Sequence, residues 1–270
     1  MSASFQQLKD GEVQQLLKQK MDLLQAGKFD ELERLQERFH RQTHGAYIGD
    51  VIFAANDGIV TTFAVVAGAA GGGLPVTVIL ILGFANMLAD GLAMGLGNFL
   101  GSKSERQYAN HQRSIENWEI EKFAPVEVAE VEQVFKRWGF TGQDLQRATA
   151  IITADKKRWI DFMMLHELNI IEDPIGSPAK HGIVTFVSFV LAGLLPLLPF
   201  VLPTAFITSH VFGFSIAATG LALFTIGALR MRVTTTHWLI SGLEMLLVGS
   251  IAAGVAYFIG DVIERIINFF

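Results

Sequence analysis

The chain has 270 residues, of which 51% are apolar and 17% charged, with a formal net charge of −5 at pH 7 and a mean hydropathy of +0.39. That composition excludes a disordered chain, a coiled coil and an ordinary water-soluble enzyme, and the mild negative balance argues against nucleic acid as a partner. Cysteine is absent, which removes a disulfide scaffold, a thiolate zinc site and a cysteine nucleophile from consideration.

Residues 1–44 are polar and lack the apolar core and cleavage site of a signal peptide. Apolar residues at helical spacing (Leu16, Leu17, Met21, Leu24) predict cytoplasmic helices over 5–26 and 29–42, broken at Gly27. Five segments follow that are long and apolar enough to cross a bilayer, which takes about 20 residues per helix. They lie near 51–72, 76–101, 182–203, 205–229 and 238–260. Between Val51 and Gly101 the only charged residues are Asp57 and Asp90, and there is none between His181 and Leu229.

The polar stretch between the second and third segments is helical as well. Residues 103–122 carry no Gly or Pro and are expected to continue the second membrane helix. Further helices fit 126–138, ended by Gly139, then 143–154 and 155–169. Asp173-Pro174 and Ser177-Pro178 mark the return to the membrane. No strand periodicity and no internal repeat is visible. The expected fold is an all-α membrane protein with five transmembrane helices per subunit. A cytoplasmic helical metal-binding domain sits between helices two and three. The divisions are 1–44, 45–101, 102–180 and 181–270.

Orientation follows from Lys and Arg. Seven precede residue 51, eleven fall within 102–181, and Arg230 and Arg232 follow the fourth segment, against Arg265 alone on the other side. This places the N-terminus and the 102–180 region in the cytoplasm. A bacterial inner membrane is the expected location, with a vacuolar-type membrane as the alternative.

Ionisable residues at membrane depth are costly, roughly 2.5–3.5 kcal/mol on insertion scales, and so point to function. The sequence has three: Asp57, Asp90 and Glu244. On the second membrane helix Asn86, Asp90, Met94 and Asn98 recur every four residues, making one polar stripe. Carboxylate and amide oxygens with one thioether suit a divalent first-row ion better than an organic substrate. The alternative is interhelical glue, with the asparagines bonding neighbours and Glu244 reaching water or pairing with Arg230 or Arg232. Gly91-xxx-Gly95 and Gly97-xxx-Gly101 on the same helix permit close helix contact.

The 102–180 region holds a second constellation. Glu116 and Glu119 share one helix face, Glu127 and Glu130 the next, and Met163, Met164 and Glu167 a third. Three helices could bring five carboxylates and two thioethers together, a set that suits Fe²⁺ or Mn²⁺. The alternative is a solvated charged surface over a methionine core. Glu121 and Glu132 read as surface charges, and His111, His166 and His181 as surface or interfacial residues. This region carries no Glu-x-x-His pair, so the usual di-iron oxidase ligand set is incomplete.

Three stretches together resemble the vacuolar iron transporter family: Asp57-Gly-Ile-Val-Thr-Thr-Phe-Ala, Ala89-Asp-Gly-Leu-Ala-Met-Gly and Phe162-Met-Met-x-x-Glu167. The resemblance covers about residues 44–265. It implies a homodimeric exchanger of Fe²⁺, and also of Mn²⁺, for protons, moving metal out of the cytosol, with Zn²⁺ or Co²⁺ as further possible ions and no prosthetic group. It implies a translocation pathway at Asp57 and Met94, to which Asp90, Asn86 and Glu244 are added here. The cytoplasmic site would be Glu116, Glu119, Glu127, Glu130, Met163, Met164 and Glu167. Plant-type members carry glutamate where Asn86 and Asn98 stand, and Asp90 is the residue placed to supply that charge. Other classes are a membrane-anchored iron-binding or ferroxidase-like protein without transport, and a passive divalent-cation channel.

Overall fold

The computed structural model describes residues 10–32, 42–170, 176–202, 210–232 and 236–269, and among them there is no strand. In chain order the helices are α1 (Asp10–Gln25), α2 (Gln42–Gly71), α3 (Val76–Lys122), α4 (Ala124–Arg137), α5 (Gly142–Thr153), α6 (Lys156–His166), α7 (Pro178–Val201), α8 (Val211–Leu229) and α9 (Trp238–Phe269). Five are long and apolar enough to cross a membrane: α2 from Tyr47, α3, α7, α8 and α9. The first span carries the polar residues Asn56, Asp57, Thr61 and Thr62. Those residues sit inside one continuous helix, where Thr61 Oγ1 donates back to the Asp57 carbonyl at 2.8 Å.

The second span and 103–122 form one helix of 47 residues, about 70 Å long. That is more than twice a bilayer's apolar thickness, so only its first part can cross. A short 3₁₀ turn, Arg230–Arg232, ends the fourth span. The helix expected over 29–42 and the start expected at 205 fall largely outside the described residues, as does Asp173-Pro174. Helix α1 ends before Gly27, whose φ of 65° is the left-handed turn that stops a helix.

The chain divides into two compact units, Met1–Phe99 with Ile175–Phe270, and Leu100–Pro174. The first is a bundle held by close backbone approach. A Cβ on Gly95 would lie 2.9 Å from the Gly182 carbonyl, and one on Gly182 would lie 2.7 Å from the Gly95 carbonyl. Gly91 packs on Phe189 and Val190 in the same seam. Gly97 and Gly101 instead meet nothing within 4 Å among the described residues, so only the first small-residue motif packs within the chain. Phe63, Val66, Met87, Phe189 and Leu197 fill the interior.

The second unit is built on a different core. Ile120, Val131, Phe135, Trp159, Phe162, Met163 and Met164 are buried together, from α3, α4 and α6. Phe135 stacks on Phe162 at 5.3 Å, and His166 sits against Trp138 at 4.8 Å, an interfacial position. Asp155 caps α6 by accepting the Arg158 N–H at 2.8 Å. Ion pairs Arg113–Asp161 and Lys156–Glu121 tie α3 to α6.

Candidate metal centre

Three helices converge in the second unit. Glu116 and Glu119 lie on the last turns of α3, Glu127 in the first turn of α4, and Glu167 directly after α6. One carboxylate oxygen from each of Glu116, Glu127 and Glu167 comes within 4.8 Å of the others. Glu116 is 2% exposed and Glu127 4%, and each has a buried oxygen, Oε2, with no hydrogen-bond partner among the described residues. A solvated charged face does not fit these two. Glu167 is more open, and Glu119 and Glu130 are half-buried.

Burial lifts the Glu116 carboxyl to about 7, helped by the charges of Glu167, Glu127, Glu119 and Glu130. Burial likewise takes Glu127 to about 7, followed by Glu130, Glu119 and Glu167. Glu167 is raised by burial and then by Glu130 and Glu119. Glu116, Glu127 and Glu167 therefore each lie within electrostatic reach of Glu119 and Glu130. Neither a lysine nor an arginine figures among the causes of these three shifts. Such a set can release protons on accepting a cation, since both compete for the same oxygens.

Met163 and Met164 are 0% and 2% exposed, within the hydrophobic core beside this cluster. Glu121 and Glu132 stand apart, as expected. The hydrogen bond and charge of Lys156 hold Glu121 below the usual carboxylate range, and Glu132 pairs with Lys136 at 3.2 Å.

In the bundle, Asp57 on α2 and Asp90 on α3 are both half-buried and near enough for their charges to interact. Asn86 and Met94 on α3 are half-buried, with Met94 packed against the bundle core. Asn98 is a tie, bonding Asp50 and Thr185. Glu244 is exposed and lies 3.6 Å from Arg230, the pairing open to a carboxylate near a helix end. One residue not singled out in the sequence stands out here. Asp50, one residue before the expected first span, meets His181 at 2.5 Å. The readable signal was its spacing, seven residues before Asp57 and on the same helix face.

Comparison with known proteins bears on most of this chain. A sequence profile of the VIT family matches residues 48–261. "Vacuolar iron transporter 1" of Arabidopsis thaliana is 30% identical over 224 residues, covering 83% of this chain and 88% of its own. "Vacuolar iron transporter" of Toxoplasma gondii is 29% identical over 238 residues, covering 85% and 78%. "Vacuolar iron transporter 2" of Oryza sativa subsp. japonica is 27% identical over 242 residues, covering 88% and 97%. The chain belongs to the VIT family, and with its five spans it is a multi-pass membrane protein.

Proposed function

We propose that this VIT-family chain carries Fe²⁺, and also Mn²⁺, across a membrane out of the cytosol in exchange for protons. The observation that carries the reading is the group Glu116, Glu127 and Glu167, with two buried oxygens that no donor among the described residues satisfies. A buried carboxylate without a partner is costly, and a divalent cation removes that cost. Glu119, Glu130, Met163 and Met164 complete the cytoplasmic site, which takes up the metal.

Asp57 and Asp90, with Met94 and Asn86, form the membrane pathway. A carboxylate there that loses a proton when metal binds, and regains it when metal leaves, gives exchange. Glu244 contributes least, since Arg230 engages it. A homodimer is favoured by the exposed row Leu88, Leu92 and Leu96 and by the open face of Gly97 on α3. The Lys and Arg distribution places residues 103–180 and the N-terminus in the cytoplasm. In this cysteine-free chain, a cysteine introduced at Ser104 should stay unlabelled by an impermeant reagent outside intact cells.

The deciding experiment is Fe²⁺ flux in proteoliposomes with and without an imposed pH gradient. Flux that follows the gradient supports exchange. Equal flux in both conditions identifies a channel instead.

A further inference from the structure

Asp50 of α2 is the centre of a polar knot that joins three helices of the bundle. Asn98 Nδ2 of α3 donates to Asp50 Oδ1 at 2.9 Å, and to Thr185 Oγ1 of α7 at 2.7 Å. His181 Nδ1 of α7 lies 2.5 Å from Asp50 Oδ2. An ionised carboxylate only accepts, so the ring nitrogen is the donor. The His181 ring also packs on Tyr47 at 4.7 Å, and the Tyr47 hydroxyl accepts the Ser177 N–H at 3.3 Å. The Asp50 and His181 side chains are 18% and 14% exposed.

The knot lies in line with the residues assigned to the pathway. Seven residues turn an α-helix by about 700°, which leaves Asp50 and Asp57 within about 20° of one face, and about 10 Å apart along the axis. Asn98 is one turn from Met94. A cation travelling along this face needs carboxylate oxygens. At Asp50 it meets a carboxylate whose two oxygens are both engaged, one by an amide and one by an imidazole. Asn98 is anchored on both sides. His181 is the partner that one rotation of its side chain can remove.

We propose that His181 is a latch on Asp50: the ring holds the carboxylate while no cation is present, and yields it when the cargo arrives, freeing α7 from α2 at this end. The inference rests on the transport reading given above. His181 is a positioning residue here, acting on the cargo through Asp50.

The test is the dependence of flux on Fe²⁺ concentration in proteoliposomes of the full chain, at fixed pH gradient. His181→Ala removes the competitor, so the KM for Fe²⁺ should fall by roughly fivefold, about the net worth of one hydrogen bond. His181→Gln keeps a donor and should return the KM toward that of the parent. A purely structural contact would leave the KM unchanged or raise it, and either result with correctly assembled His181→Ala overturns the latch. Should His181→Ala fail to assemble, His181→Phe keeps a ring against Tyr47 and deletes the donor; the same fall in KM is expected, and its absence overturns the proposal. Parent protein without any flux overturns the transport reading and the latch with it. A working parent with unaltered variants overturns the latch alone.

Discussion

Asp50 in the bundle and Glu116 in the helical insert are both largely hidden carboxylates, and the fold treats them in opposite ways. Asp50 accepts from Asn98 and meets His181, so its charge is used to tie helices. Glu116 is more deeply buried, yet its Oε2 has no donor among the described residues, and the charges around it are further glutamates. Burial of a polar group is normally matched by a hydrogen bond. Where the match is present, the resting carboxylate ties helices together and is open to a cation only once a partner yields. Where it is missing and like charges gather, the oxygens are left for a cation. On the proposed function the two units divide holding metal from moving it, and each half of that division can be broken separately.

The largest effect is expected at Asp57. Asp57→Asn keeps size and hydrogen bonding but removes the titrating charge, and should lower pH-driven Fe²⁺ flux by roughly 100-fold or more, as removal of a positioned proton carrier does. Metal binding by the insert should be unchanged, since Asp57 and the five glutamates belong to different compact units. Met94→Ala should weaken cargo affinity while the residual flux stays coupled to protons, because a thioether carries none. Parent-like pH-dependent flux in Asp57→Asn would move the coupling role to Asp90.

The complementary break is Glu116→Ala, Glu119→Ala, Glu127→Ala and Glu130→Ala together. In the parent, a divalent ion at about 100 times its Kd should stabilise the folded state by about 2.7 kcal/mol, read as a rise in Tm of the detergent-solubilised chain. The quadruple variant should lose that rise. A variant that keeps the parental metal-induced shift would place the binding site elsewhere in the molecule.

These assignments were unevenly legible in the sequence. The five spans and the helices of the insert could be read from apolar length and from Gly139 and Pro125, because a bilayer and helix punctuation leave strong local signals. The three glutamate faces were also visible as i, i+3 spacing, but spacing cannot say whether a face points to water. The choice between a solvated surface and a closed cluster needed the tertiary packing of α3, α4 and α6. The pairing of Asp50 with His181 was missed for the same reason. They stand 131 positions apart and meet only when α2 and α7 pack. Of the two glycine motifs on α3, only the tertiary seam with α7 separates the packed Gly95 from the open Gly97.

That last contrast gives a smaller, purely structural test. Alanine gains helix propensity over glycine by up to about 1 kcal/mol. At Gly95 its Cβ would meet the Gly182 backbone carbonyl at 2.9 Å, an atom that cannot rotate away. Gly95→Ala should therefore destabilise the bundle by about 1–3 kcal/mol, the usual range for overpacking. Within a single subunit Gly97→Ala should stay within about 0.5 kcal/mol of the parent, as substitutions at unpacked positions do. Equal Tm values for the two variants would remove the seam as a determinant of bundle stability.

The smallest readout is the pH dependence of the metal-free chain, read at two carboxylates of the insert. The Glu116 and Glu127 carboxyls ionise near 4.5 in an unfolded chain and at about 7 in the fold. Between those values the folded state holds protons that the unfolded state has released, so stability falls as pH rises. It is highest below pH 4.5, declines through the window up to about 7, and is level above it as far as these two groups are concerned. Other carboxylates set the opposite trend at the acidic end, since Glu121 is held below its ordinary value by Lys156 and loses that contribution as pH falls. The informative comparison is therefore pH 5.5 against pH 7.5. Without metal, Tm should be higher at pH 5.5. With saturating Mn²⁺ the order should reverse, because the cation replaces the protons on the same oxygens and binds better once they have left. Glu116→Gln with Glu127→Gln removes both titrations and should flatten both trends. A metal-free Tm that rises from pH 5.5 to 7.5 in the parent, with the same slope in the double variant, would show that these two carboxylates are not proton-bearing in the fold, and would leave the donorless burial of their oxygens without this explanation.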